Sequence, residues 1–144
     1  MTQEAPHPIS LEQVLFTRCI VISLPGHVPQ PGMVATGPVN SLTVTKLEGP
    51  DRRYSALMRA ELNAAADNSQ PYQINMECLA VLSVDDTLEE NEALRGVYIT
   101  ANSVLYGAIR ESVAWLTSRQ PYGSLVLGLS VLRPTPPAEP LPGP

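Results

Sequence analysis

Residues 54–78, YSALMRAELNAAADNSQPYQINMEC, hold two alternating runs about a loop. Tyr54, Ala56, Met58, Ala60 and Leu62 alternate with Ser55, Leu57, Arg59, Glu61 and Asn63. Beyond Ala66-Asp-Asn-Ser-Gln-Pro71 the pattern resumes, with Tyr72, Ile74, Met76 and Cys78 set against Gln73, Asn75 and Glu77. A period of two sends successive side chains to opposite faces of a strand. The stretch therefore predicts a hairpin with one apolar and one mostly polar face, closed by a loop of turn-forming residues.

Two more strands are expected upstream. LFTRCIVISL, residues 15–24, is rich in β-branched and aromatic residues and stops at Pro25-Gly26, and SLTVTKL, residues 41–47, follows. Four strands in order, with short links after the second, argue an antiparallel meander. Downstream the period changes. From Asn102 to Ser118, Val104, Leu105, Ala108, Ile109, Ser112, Trp115 and Leu116 fall within an arc of about 140° at 100° per residue, which is an apolar helix face. Arg119-Gln-Pro121 ends that helix. The fold class is α+β: a four-stranded antiparallel sheet that buries the stripe of a long helix in the C-terminal half. Gly107 and Ala114 lie on the helix's other side, about two turns apart. Small residues in such register allow a second helix to approach, or are simply tolerated on an exposed face.

Composition bounds the rest. With 144 residues, 44% hydrophobic and 16% charged, the chain fits one domain that has enough apolar surface for a core and some to spare. Of 15 prolines, seven lie in residues 1–50 and six in 134–144. The ordered domain is thus expected over 11–132, with a flexible N-terminus over 1–10, a Pro/Gly loop over 25–38 and a Pro-rich flexible tail over 133–144. No apolar run is long enough to span a membrane, and the N-terminus has no basic n-region, so a cytoplasmic protein without membrane insertion is expected. A net charge of −5 with scattered basic residues offers no stripe for phosphates and argues against nucleic acid. Asp85, Asp86, Glu89, Glu90 and Glu92 form an acid run that reads as a solvated link or a helix start.

Chemistry is sparse. His7 and His27 sit beside prolines in loops, and Cys19 and Cys78 lack a zinc spacing, so no metal or cofactor is expected. Phosphate-binding glycine motifs are absent. Glu61 and Glu77 are the remaining acid/base candidates, on neighbouring strands. Outward carboxylates on a sheet are usually solvated, so binding is expected rather than catalysis.

Several of these segments, taken in order, resemble the SecB family of protein-export chaperones. The resemblance rests on Leu15-Phe-Thr-Arg18, Tyr54 through Leu62, Glu77 with its following apolar run, and above all Ala101 to Arg119 with Pro121-Tyr122 and Leu125-Val-Leu127. It spans residues 11–132 and implies a four-stranded sheet with helices on one side, assembled as a homotetramer, a dimer of dimers in which Gly107 and Ala114 are seam residues. It implies an ATP-independent holdase for unfolded polypeptides that passes secretory precursors to the SecA motor.

Position by position, the resemblance implies a client groove at Ile22, Leu42, Val44, Ile74 and Tyr106, with Met76 and Leu105 as neighbours. Plain core packing is the alternative for each. Glu77 matches an acidic position where the family docks SecA. Its companions differ: Cys19 replaces an acidic residue and Asn75 an apolar one. The family's helix proline is Gly107, its Pro-Val-Asn reads Leu129-Ser-Val131, and its second helix gives way to the Pro-rich tail. The loop at Val28, Met33 and Val34 is the candidate to replace the groove wall which that helix supplies. Three functions remain open: a general or export-linked holdase, a dedicated chaperone of one client such as an antitoxin, and a scaffold or inhibitor for a folded partner.

Overall fold

The computed structural model describes residues 7–29 and 37–129. Met33, Val34 and the Pro-rich tail lie outside the described residues. Four strands, β1 (Ile9–Ser23), β2 (Val39–Lys46), β3 (Arg53–Leu62) and β4 (Tyr72–Val84), precede one helix, α1 (Glu90–Thr117). All strand pairs are antiparallel, in the order β1-β4-β3-β2.

The α+β class and the antiparallel sheet are as expected, but the meander covers only β2, β3 and β4. β1 crosses over to lie against β4 rather than beside β2. The link between β1 and β2 is long enough for the crossing, and β4 offers a longer apolar face than the eight-residue β2. β1 also starts earlier than the apolar run suggests, at Ile9. Two bulges, between Leu11 and Gln13 and between Phe16 and Arg18, keep it in step with β4 over that length.

The hairpin alternation is observed residue for residue. Tyr54, Ala56, Met58, Ala60 and Leu62 join Tyr72, Ile74, Met76, Cys78, Ala80, Leu82 and Val84 in the buried face. Their loop is tied by Asn63, whose Oδ1 accepts from the Asp67 amide at 2.9 Å and whose Nδ2 donates to the Asp67 carbonyl at 3.0 Å.

The helix begins a full three turns before the apolar spacing indicates. Asp85 Oδ1 accepts from the Thr87 amide at 2.9 Å to form the turn into it. Glu90 and Glu92 occupy its first turn, where unpaired amides favour negative charge. The acid run is thus a helix start. Its buried face is rotated from the expected arc: Ala93, Val97, Ala101, Leu105, Ile109, Val113 and Thr117 recur at every fourth position. Such a row slants around the axis, because four residues overshoot one turn. Trp115, expected in the core, is consequently 66% exposed, whereas Val113 and Thr117 are buried. Near the helix start, a Cβ on Gly96 would lie 2.5 Å from Ile9 Cδ1, so the missing side chain lets the beginning of β1 pass close to the helix.

Candidate functional site

One face of the sheet carries α1; no described element covers the other. The two faces divide the expected groove. Ile74, Met76 and Leu105 are wholly buried in the core, and Tyr106 is nearly so. Leu42 and Val44, in register with Met58 and Ala56 on the helix-bearing side, are only partly buried. Ile22 pairs with Gln73, stands on the opposite face and is exposed. The structure therefore brings Leu42, Val44 and Tyr106 to one side, and places Ile22 apart from them.

Tyr106 leads to a feature that the apolar pattern did not reveal. After α1, a turn at Gln120–Gly123 (Gly123 φ 82°, amide to the Gln120 carbonyl 3.1 Å) reverses the chain, and residues 123–129 run back along the helix as an extended strap. Side chains of the body hold it by its carbonyls. Tyr72 donates its hydroxyl to the Gly123 carbonyl at 2.5 Å, Arg110 Nε donates to Leu127 at 2.7 Å, and the Tyr106 hydroxyl donates to Gly128 at 2.5 Å. Thr117 Oγ1 accepts from the Leu125 amide at 2.8 Å while donating to the Val113 carbonyl, which satisfies the one buried polar residue among those described. Just before the strap, Tyr122 donates to the Leu24 carbonyl and meets the rings of His27 and Tyr72 edge-on. Burial raises the pKa of both Tyr72 and Tyr106 above the ordinary value, so each hydroxyl keeps its proton for donation at neutral pH. The sequence signal was a set of tyrosines whose alternation marked them only as apolar.

On the opposite face, Leu15, Leu79 and Leu57 stand side by side across β1, β4 and β3. The neighbouring row is Arg18, Glu77 and Arg59. Both oxygens of Glu77 are engaged: Thr17 Oγ1 donates to one at 2.7 Å and Arg59 Nε to the other at 2.6 Å. These two hydrogen bonds, from Thr17 first and Arg59 second, hold its carboxyl below the usual range. Cys19 pairs with Met76 and so does not share the face of Glu77. Glu61 pairs with Asn75, so the residue directly opposite Glu77 on β3 is Arg59, a cation and not a second acid. No group of metal-binding residues occurs among the described residues, and no described helix is long and apolar enough to cross a membrane.

Of the seam candidates, Gly107 is exposed, and a Cβ built on it meets nothing within 4 Å. Ala114 is half-buried; its carbonyl takes hydrogen bonds from the Ser118 amide and, across the strap, from Ser124 Oγ, both at 3.1 Å.

No family profile matches the chain. No curated protein matches it either. Solved structures do. A Mycobacterium tuberculosis SecB-like chaperone, Rv1957, in complex with a ChAD peptide from the HigA1 antitoxin Rv1956, superposes with a TM-score of 0.62 at 19% identity, covering 85% of this chain and 88% of that one. A Streptococcus agalactiae protein of unknown function gives a TM-score of 0.61 at 9% identity, covering 84% and 97%. The sheet, the long helix and the likeness to Rv1957 agree with the resemblance carried by residues 11–132, and the chain has a SecB-like fold, divergent in sequence.

Proposed function

We propose that the protein is an ATP-independent polypeptide-binding chaperone, dedicated to one client or a few, and that it works as a homo-oligomer. The observation that carries this reading is the likeness of the whole fold to a SecB-like chaperone seen with an antitoxin peptide bound. The chain's own surface supports it. Leu42 and Val44 leave apolar area open beside Tyr106, and contact by area suits non-native segments of varied sequence.

Glu77 bears on the choice between an export chaperone and a dedicated one. Its carboxylate is held internally between Thr17 and Arg59 and flanked in register by Arg18. An acid so neutralised is a poor handle for a basic docking partner, so export through SecA is the weaker reading. Assembly as a dimer of dimers, with helices meeting at Gly107 and Ala114, is part of the proposal. Trp115, Leu94 and Ile99 add exposed apolar area to the helix.

The test is suppression of aggregation for several unrelated unfolded proteins, alongside an antitoxin-type client from a neighbouring gene. Protection of that client with failure on most others is the expected result. Broad protection would favour a general holdase. No protection of any polypeptide would overturn the chaperone reading in favour of a scaffold.

A further inference from the structure

Among the described residues, the strap at 123–129 is held chiefly by side chains. Among the described residues, no backbone–backbone hydrogen bond ties residues 124–129 to the sheet or the helix. The bonds that hold it there come from side chains, and three of them, from Tyr72, Arg110 and Tyr106, address main-chain carbonyls that every peptide carries. Leu127 is buried and Leu125 partly so, whereas Val126 and Leu129 are 66% and 84% exposed. Alternate apolar anchors together with main-chain hydrogen bonds are how an extended peptide is recognised.

Two details bear on which other segments the channel accepts. Gly128 is exposed and a Cβ built on it meets nothing within 4 Å, so an occupant carrying a side chain at this position is not blocked. Close to Tyr106, the side chain of Asn40 on β2 has a buried Oδ1 with no partner among the described residues. A buried acceptor left without a donor costs about 1–3 kcal/mol, and an incoming main-chain N–H would satisfy it.

We propose that the channel formed by α1 and the start of β4, with Tyr72, Tyr106, Arg110 and Thr117 as its main-chain readers, binds extended polypeptide segments bearing leucine at alternate positions. The strap 123–129 is the chain's own occupant, displaced when a client enters. This deepens the chaperone reading and rests on it, because it names where the client lies and what it must compete with. The strap sets a threshold: segments that bind more weakly than the tethered Leu125-Val-Leu127 are excluded.

The probe is a fluorescent peptide of residues 122–129, YGSLVLGL, with two lysines added for solubility. Leu127→Asp in the full chain loosens the strap and should tighten peptide binding by tenfold or more over wild type, read by fluorescence anisotropy. Leu125→Asp, at a half-buried position, is the second variant should the first fail to fold. In the wild-type chain, saturation with the peptide should speed hydrogen exchange at least tenfold at the Leu125 amide, which donates to Thr117 Oγ1. Equal affinity in wild type and a folded variant, or unchanged strap exchange in a wild type that binds the peptide, overturns the proposal. Aggregation suppression that persists in that case leaves the chaperone function standing with a different site. Strap displacement by the peptide, without protection of any foreign protein, keeps the channel and removes the function.

Discussion

Arg59 faces Glu77 directly across the β3–β4 pair and donates Nε to its carboxylate at 2.6 Å, on the side of the sheet away from the helix. With Thr17 on the other oxygen, the charged form of Glu77 is favoured in the folded chain and its pKa is depressed from 4.5. A depressed carboxylate stabilises the fold above its unfolded pKa, and the contribution is lost as pH falls through the lower folded value. Glu77→Gln should therefore be less stable than wild type at pH 7, and the difference should vanish in acid, below the folded pKa. A series of urea melts from pH 7 down into strong acid checks this; a gap that does not narrow as the pH falls would assign the effect to something other than the charge.

Leu105 and Leu42 should separate core from surface. Leu105 is fully buried on the face of α1 that packs against the sheet, so Leu105→Ala should cost about 2–5 kcal/mol in chemical denaturation. Leu42, partly buried on the edge strand β2, should tolerate Leu42→Ser with a change of about 1 kcal/mol. The same Leu42 variant should weaken client binding several-fold. A large loss of stability at Leu42 would make it core.

The helix seam is open to a test by mass. Gly107 has free space around it, so Gly107→Leu should leave the protomer folded while blocking close approach of a second helix. Light scattering should then show dimers in place of tetramers. A monomeric wild type, or an unchanged oligomer in the variant, would remove the seam. Trp115→Lys gives an independent reading from the adjacent exposed arc.

The two thiols should behave oppositely. Cys78 is fully buried, and desolvation pushes its pKa up to about 11. Cys19 is exposed. At pH 8, iodoacetamide followed by mass spectrometry should show modification at Cys19 alone in the folded chain and at both residues in denaturant. Rapid labelling of Cys78 in the native protein would mean that the sheet opens readily.

The legible parts of the molecule were those fixed by local periodicity. The faces of β3 and β4 followed from alternation at Tyr54 to Leu62 and Tyr72 to Cys78, because a period of two has a single reading in a sheet covered on one side. The place of β1 was not local. Nothing in residues 15–24 distinguishes pairing with β2 from pairing with β4, and the choice follows from the long link between β1 and β2 and the greater length of β4. The early start of α1 is not marked by an apolar period, because Glu90, Glu92, Arg95 and Gly96 dilute it. Trp115 was assigned inward because 100° spacing assumes a stripe parallel to the axis, and the actual row is slanted. Of the proposed groove, Leu42, Val44 and Tyr106 follow from the family resemblance alone. The anchoring of the strap does not: the carbonyl that a tyrosine hydroxyl reaches depends on a chain reversal some residues away.

The bulges of β1 have a consequence for how the molecule grows. An edge strand without defects is an invitation to open-ended strand addition, chain upon chain. β1 is broken twice, before Gln13 and before Arg18, which leaves Arg18 to Ser23 as its longest run in uninterrupted register with β4. At about 3.4 Å per residue, that is a landing strip roughly 20 Å long, room for one partner strand and bounded by a bulge that turns the rest of the edge away from further pairing.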